Sequence, residues 1–356
     1  MFLRKALEVG AYCGRLSHPQ FVPVFQNVGG SRGDPILLRG PRKERTVPNI
    51  VVVGAGPVGL ASALHLQSLG YQVHVIAQSL PGEGITGDLA AGIGCIFKPS
   101  SELIRRFVIE SYPHSMRLAA DSHFSAVAET QLLVVKTGTE SDYSSVVYDY
   151  EEVSETHARY RTFAFDPAAW GAQRLDQLIR GGCRVEKRPI SAAEVDAVLS
   201  GVGIAGYDYT IVAAGLAARD LRPDFGLYPV RGVLVHFPES SDKRSYMDEG
   251  SARYVISRPN GVVAGGTFDE HVGTCSESEE LQLGAEIVSA CNSAFGTSLR
   301  FDERVRVTAG FRPAVTKDAI MEFGARVAWL DGFGGQGWVP WAAVTRQVGE
   351  QVAALL

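Results

Sequence analysis

The chain has 356 residues, 46% of them hydrophobic, and a formal net charge of −5 at pH 7. That is enough apolar material for a large core, and the acidic balance excludes a broad basic field of the kind that binds nucleic acid. No run of 18 apolar residues occurs, so no membrane-spanning helix is predicted. The first 46 residues stand apart: eight basic and three acidic side chains give them +5 and leave −10 for the rest. They read as a flexible extension of a cytoplasmic protein, with an organellar transit segment as the alternative. Cys13, Cys95, Cys183, Cys275 and Cys291 are scattered without CxxC or metal-ligand spacing. Reduced thiols are expected, with no disulfide framework and no metal site.

The first element begins at residue 49, in "NIVVVGAGPVGLASALHLQSLGYQVHVIAQ". Ile50 to Val53 is a continuous β-branched run, as in a strand buried on both faces. Gly54, Gly56 and Gly59 follow as GxGxxG, with Ala55, Pro57 and Val58 between them. Leu60, Ala63, Leu64 and Leu66 then recur at helical spacing, Gly70 closes the helix, and "QVHVIA" gives a second strand. A strand that turns through three glycines into a helix cradles a pyrophosphate against free N–H groups and a positive dipole end. The acidic residue expected about 20 positions on, for a ribose, is replaced by Gln78. Gln78 can accept a hydroxyl hydrogen bond, but without charge assistance.

Consecutive βα units do not follow. "GITGDLAAGIGCIF" leads into mixed helical and loop-like text, and a third nucleotide-domain strand is predicted only at "YDYTIVAAGLAA", 207–218. "RYVIS" and "GVVAG" form a predicted hairpin around Pro259-Asn260-Gly261. "VTAGFRPAVTKD" then carries Arg312 between Phe311 and Pro313, a cation that needs a carboxylate partner or an anionic ligand. "VAWLDGFGGQGW" supplies a Gly-rich loop whose N–H groups can approach a planar polar ring, and "AAVTRQVGEQVAAL" is a last helix whose apolar face covers the sheet. Nucleotide-binding pieces at the beginning, middle and end predict a domain split by insertions, as in a two-domain flavoprotein.

These blocks, in this order, resemble the D-amino-acid oxidase family over roughly residues 48–356. "VVVGAGPVGLASAL" resembles its FAD cradle, "DLAAG" its short segment against the flavin, and "TIVAAGLAA" its strand with a small-small-Gly turn. "PVRGVLVHF", "YVISRPNGVVAGGTF", "GFRP" and "GFGGQGW" resemble its substrate-domain strand, its Tyr-led hairpin, its substrate-arginine block and its terminal flavin loop. The fold implied is α/β: a Rossmann-like FAD-binding domain (47–92, 159–220 and 308–356) interleaved with a smaller α+β substrate domain (93–158 and 221–307) on a mixed or antiparallel sheet. Non-covalent FAD would contact Gly54 to Gly59, Gln78, Asp88, Ala90, Ala91, Gly92, Ile190, Gly215, Gly334, Gly335, Gln336, Gly337 and Trp338.

The resemblance assigns the substrate's α-carboxylate to Arg312 and Tyr254, with Gln336 beside it. A planar guanidinium meets a carboxylate through two parallel hydrogen bonds. The implied reaction is hydride transfer from the α-carbon of an amino acid, of the D series by the resemblance, to flavin. It gives an imino acid, then the 2-oxo acid and ammonia, with hydrogen peroxide from oxygen. Three positions depart from the pattern: Gly250 stands where the family has a second active-site Tyr, Cys95 where it has a flavin-side Gln, and Gln336 where it often has Tyr. Tyr246 and Tyr160 are the candidates to compensate. Cys95 is expected to pack as a small residue, with covalent flavin attachment as the alternative. Glycine, sarcosine, an imino acid or a biosynthetic intermediate is the alternative substrate. A flavin dehydrogenase and a catalytically inert FAD-binding protein are the other classes. A small-molecule amino acid and oxygen are the expected partners, and the family resemblance allows a homodimer.

Overall fold

The computed structural model describes residues 47–95, 101–137, 144–238, 244–270, 273–316 and 318–356. The extension expected over 1–46, with Cys13, lies outside these residues. The described chain opens with β1 (Asn49–Val53), α1 (Pro57–Ser68) and β2 (Gln72–Ala77), then α2 (Glu102–Ala119), β3 (Val127–Val135), β4 (Tyr148–Ser154) and β5 (His157–Phe165). It continues through α3 (Pro167–Arg180), β6 (Arg184–Lys187), α4 (Ala192–Leu199), β7 (Tyr209–Val212), α5 (Ala218–Leu221), β8 (Tyr228–Phe237) and β9 (Ser245–Asp248). The last third holds β10 (Tyr254–Arg258), β11 (Gly261–Gly265), β12 (Asp269–Glu270), α6 (Glu277–Phe295), β13 (Arg306–Ala314), β14 (Ile320–Phe323), β15 (Val327–Asp331) and α7 (Trp341–Leu355).

Two sheets result. The first runs β14-β15-β7-β1-β2-β6, and all its pairings are parallel except β14 with β15. Its centre, β1, is the β-branched run, and Ile50, Val51 and Val52 are completely buried. A parallel strand covered on both faces has no place for a polar alternation. The strands expected at 207–218 and near the C-terminus are β7, which pairs with β1, and β15, which pairs with β7, although both lie far from β1 in sequence.

The second sheet is mixed, in the order β12-β8-β11-β10-β9-β3-β5-β4 with β13 on β8. β3 and β9 are parallel and the other pairs antiparallel. The α/β expectation with a mixed second sheet therefore holds. Strand membership cuts across the expected segment limits at two places, because β5 and β13 belong to the second sheet. Helix α6, capped by Ser276 and Glu279, packs Ile287, Val288 and Cys291 against Val233, Val235 and Val255 on one sheet face. Side chains alternate along a strand, so Leu234, His236, Tyr254, Ile256 and Arg258 turn to the opposite face. Helix α7 packs against α1 and α2. Among the described residues Cys95, Cys183, Cys275 and Cys291 form no disulfide. Among the described residues no helix is long and apolar enough to cross a membrane.

Candidate functional site

The loops leaving β15, β7, β1, β2 and β6 gather at the carboxyl ends of these strands, where open parallel sheets bind nucleotides. Gly54 leaves β1 with φ +114°, and a Cβ there would collide with the Ala213 carbonyl at the end of β7. A Cβ on Gly59 would collide with the Gly54 carbonyl. Gly56 is different: a Cβ there meets nothing within 4 Å. The first and third glycines thus let protein pack on protein, and the middle one borders open space. No side chain caps α1 at Gly56, and Pro57 fills its first position, so the N–H groups of its first turn are unspent. Ala55 is buried and Val58 packs on the core. Gln78 is exposed just past β2, and Ile190 is half-buried just past the adjoining β6. An uncapped helix start facing an opening is what a pyrophosphate needs, so the residues present fit a dinucleotide.

The other cofactor blocks converge on Pro57. Gly87 and Gly337 both lie against it: a Cβ on either would stand 2.9 or 3.3 Å from its ring. The Trp338 indole donates to the Gly87 carbonyl at 2.8 Å. Cradle, "DLAAG" segment and terminal loop, far apart in sequence, therefore meet at the first turn of α1. Asp88 turns back on its own loop, its Oδ2 accepting the N–H groups of Gly82, Gly84 and Ile85 at 2.9, 3.1 and 3.2 Å. Burial nonetheless pushes its carboxyl above the usual range. Gly92 has φ +79°, and a Cβ there would strike the Phe165 carbonyl, which fixes the partly buried Ala90 and Ala91 against β5. Gly215 begins a short turn after β7, and Gly334 to Gln336 form another beyond β15. A Cβ on Gly335 would stand 3.4 Å from Arg312 Cδ, so the terminal loop reaches the second sheet's arginine.

Arg312 and Tyr254 come together on the second sheet. Pairing runs Tyr254 to Gly265, Gly265 to Leu234 and Leu234 to Thr308, and Arg312 follows Thr308 by four residues on the same face. Each side chain lies over a glycine. A Cβ on Gly265 would overlap the Tyr254 phenol, and one on Gly232 would overlap the Arg312 guanidinium. Arg312 Nη1 donates to the carbonyls of Arg231 and Thr267, each at 3.3 Å, and the Phe268 ring lies 5.5 Å away. Among the described residues no carboxylate pairs with Arg312, whereas neighbouring Arg231 is 3.1 Å from Asp269. Burial raises the Tyr254 phenol's pKa, while the hydrogen-bonded Arg312 beside it works the other way. The phenol stays protonated, a donor next to a cation.

Of the two tyrosines that could replace a second active-site Tyr, Tyr246 faces α6 and stacks on Phe295 at 5.4 Å. It is on the wrong face. Tyr160 is buried in the core that Tyr254 packs against. Gly250 sits in an exposed turn held by Asp248. Cys95 is buried, within electrostatic reach of Tyr254. Sequence reading missed Asp331, at the end of β15. Its Oδ1 accepts the Gly215 N–H at 2.6 Å, its Oδ2 is buried with no hydrogen-bond partner among the described residues, and burial pushes its carboxyl well above the usual range. The available signal was an Asp ending a strand of buried apolar residues. Arg258 and His236, both buried, were missed too.

A family model described as FAD dependent oxidoreductase, DAO, matches residues 49–351. The D-amino-acid oxidase of Rubrobacter xylanophilus is 27% identical over 283 residues, 76% of this chain and 83% of that protein. The D-amino-acid oxidase of Streptomyces coelicolor is 25% identical over 309 residues, 81% and 91% of the two chains. Glycine oxidase from Bacillus cereus superposes with a TM-score of 0.66 at 15% identity, over 86% of this chain and 98% of that one. Iminodiacetate oxidase from Chelativorans gives 0.64 at 18% identity, over 86% and 95%. At these identities the structural likeness speaks for the fold.

Proposed function

This chain belongs to the DAO family of FAD-dependent oxidoreductases, and we propose that it oxidatively deaminates an amino acid of the D series to the 2-oxo acid, ammonia and hydrogen peroxide. The observation that carries this reading is Arg312, a guanidinium with two backbone acceptors and no carboxylate among the described residues, hydrogen-bonded beside the Tyr254 phenol. Charge and donors stand ready for an anion. The two relatives named D-amino-acid oxidase support the choice of substrate. The division of labour follows the sheets: the first with its loops holds FAD non-covalently, and the second, β5 and β13 included, holds the substrate.

When bound, FAD would supply a two-electron acceptor for the α-hydrogen, with oxygen as the final acceptor that becomes hydrogen peroxide. The chain's own residues position. Arg312 takes both carboxylate oxygens, Tyr254 donates a third hydrogen bond, and their fixed spacing aims the α-C–H. No general base at the α-carbon is needed, because the neutral amine's lone pair forms the imine as the hydride leaves. The imino acid is then hydrolysed. Catalysis is orientation plus electrostatics.

Gly250 favours one variation. With no aromatic side chain in that turn, the pocket wall is reduced, and glycine, sarcosine or a cyclic imino acid becomes the second substrate class. The test is purified protein mixed anaerobically with single D- and L-amino acids, glycine, sarcosine, proline and simple amines that lack a carboxylate. Expected are a yellow protein whose flavin leaves with acid, bleaching by D-amino acids, and peroxide on admitting air. Protein free of FAD, or flavin reduced equally well by amines lacking a carboxylate, overturns the reading. Bleaching by glycine or sarcosine alone selects the second class.

A further inference from the structure

Arg258 is buried, at 8% exposure, and among the described residues it has no ion pair. Its Nη1 donates to the Ala90 carbonyl at 3.3 Å and its Nη2 to His236 Nδ1 at 3.4 Å, while its Nε has no partner among the described residues. An arginine has no acceptor atom, so His236 Nδ1 must present its lone pair. The imidazole proton is then on Nε2, which donates to Thr308 Oγ1 at 2.8 Å. The electrostatics agree: burial and the Arg258 and Arg306 cations push His236 down to about 3, so it stays neutral. Asp166, the carboxylate acting on Arg258, has an oxygen that accepts the N–H groups of Ala168 and Ala169 at the start of α3.

A desolvated, unpaired cation is costly to fold around. What it holds here is the Ala90 carbonyl, in a segment whose Gly92 carbonyl also accepts the Phe165 N–H of β5 at 2.8 Å. Arg258 stands four residues after Tyr254 on β10, and Thr308 four residues before Arg312 on β13. The line Ala90–Arg258–His236–Thr308 therefore fastens the "DLAAG" segment to both strands that carry the carboxylate anchors. Leu89 adds an apolar attachment, its side chain lying 3.1 Å from where a Gly310 Cβ would stand.

We infer that Arg258 is a positioning residue that sets the flavin-side segment, through Ala90, at a fixed distance from Arg312 and Tyr254. This rests on the proposed reading that residues 88–92 lie against FAD. Arg258 touches neither anchor side chain in the hydrogen bonds above. Losing it should leave carboxylate binding intact while the cofactor shifts relative to the α-carbon.

The experiment compares Arg258→Met and Arg258→Lys with the parent holoenzyme, using D-alanine or whichever panel amino acid reduces the parent fastest. For Arg258→Met, the FAD dissociation constant, from titration of stripped protein, rises roughly tenfold, as for loss of one charged hydrogen bond. The limiting rate of anaerobic flavin reduction falls at least about tenfold, while the half-saturating substrate concentration stays within about twofold. Arg258→Lys, which keeps a cation and a donor, recovers most of both losses. The inference is overturned if Arg258→Met binds FAD like the parent, if the loss falls on half-saturation instead of the limiting rate, or if Arg258→Lys is no better than Arg258→Met. Should Arg258→Met not fold, Thr308→Val decides. It cuts the far end of the line without removing the buried charge, and unchanged FAD affinity and reduction rate there reject the inference. A parent without FAD rejects the proposed function itself; a parent flavoprotein with an indifferent Arg258→Met rejects only this step.

Discussion

Tyr254 and Arg312 hold their places because glycines beneath their side chains leave room. Gly265 pairs with Tyr254 across β10 and β11, and a Cβ there would stand 2.6 Å from Cε2 of the phenol ring. No rotamer adjustment of a methyl relieves that, since alanine has none. Gly265→Ala therefore has to tilt the Tyr254 ring away from its strand. The half-saturating substrate concentration should rise about tenfold, the worth of one hydrogen bond to a charged group. Steady-state kinetics with FAD content and melting temperature as controls checks this, and an unchanged half-saturation would remove Tyr254 from the anchor. Arg312 was legible in the sequence because it sits inside a four-residue block. Its supporting Gly232 was not, because that contact joins residues 80 apart that only strand pairing brings together. Tyr246 shows the same limit: two tyrosines on neighbouring strands face the same way or oppositely according to register, and a single sequence does not state register.

At the scale of elements, the β1-α1-β2 unit could be read directly, since a buried β-branched run, three glycines and a 3.6-residue period lie within one short stretch. The second sheet could not. Its order places β8 between β11 and β13, and β9 between β10 and β3, so its neighbours are set by long-range packing. The Asp88 expectation stands between the two cases. Its segment does reach Pro57 of the cradle, yet one carboxylate oxygen closes its own loop. The glycines of the cradle divide by role, and that division is testable. Gly56 has φ −74° and ψ 180°, a conformation open to any residue, and space beyond it. Gly56→Val should therefore leave the melting temperature of FAD-free protein within about 1 °C, because nothing in the protein is displaced. The same side chain fills the opening where a pyrophosphate would approach, so FAD affinity should fall by at least about a hundredfold. Titration of stripped protein with FAD reads the second effect. If FAD binds normally, the pyrophosphate does not pass Gly56.

The whole molecule should respond to pH with two opposed limbs, one led by His236 and the other by Asp331. His236 is held neutral, its folded pKa pushed from 6.5 down to about 3 by burial and by Arg258 and Arg306. An unfolded chain takes up that proton below about 6.5 and the folded one does not, so stability is full above 6.5 and is lost as pH falls toward about 3. Glu194, drawn from 4.5 down to about 2 by Arg188, adds to the same limb at lower pH. Asp331 acts the other way. Its folded pKa is raised well above 3.8 by burial, so its contribution is present below 3.8 and is lost as pH rises toward the folded value. His236→Gln offers an amide oxygen to Arg258 and an amide N–H to Thr308 without a proton to gain. It should flatten the melting-temperature decline between pH 6.5 and 4, by on the order of 2–3 kcal/mol across that range. Asp331→Asn keeps an acceptor for the Gly215 N–H and gives up the ionisable group. Its melting temperature should gain on the parent's as pH rises from 3.8 toward the folded value. Thermal melts of the two variants across this range separate the limbs. A parallel offset of Asp331→Asn at every pH would mean that Asp331 keeps its charge when folded, and that its buried Oδ2 has found a cationic partner.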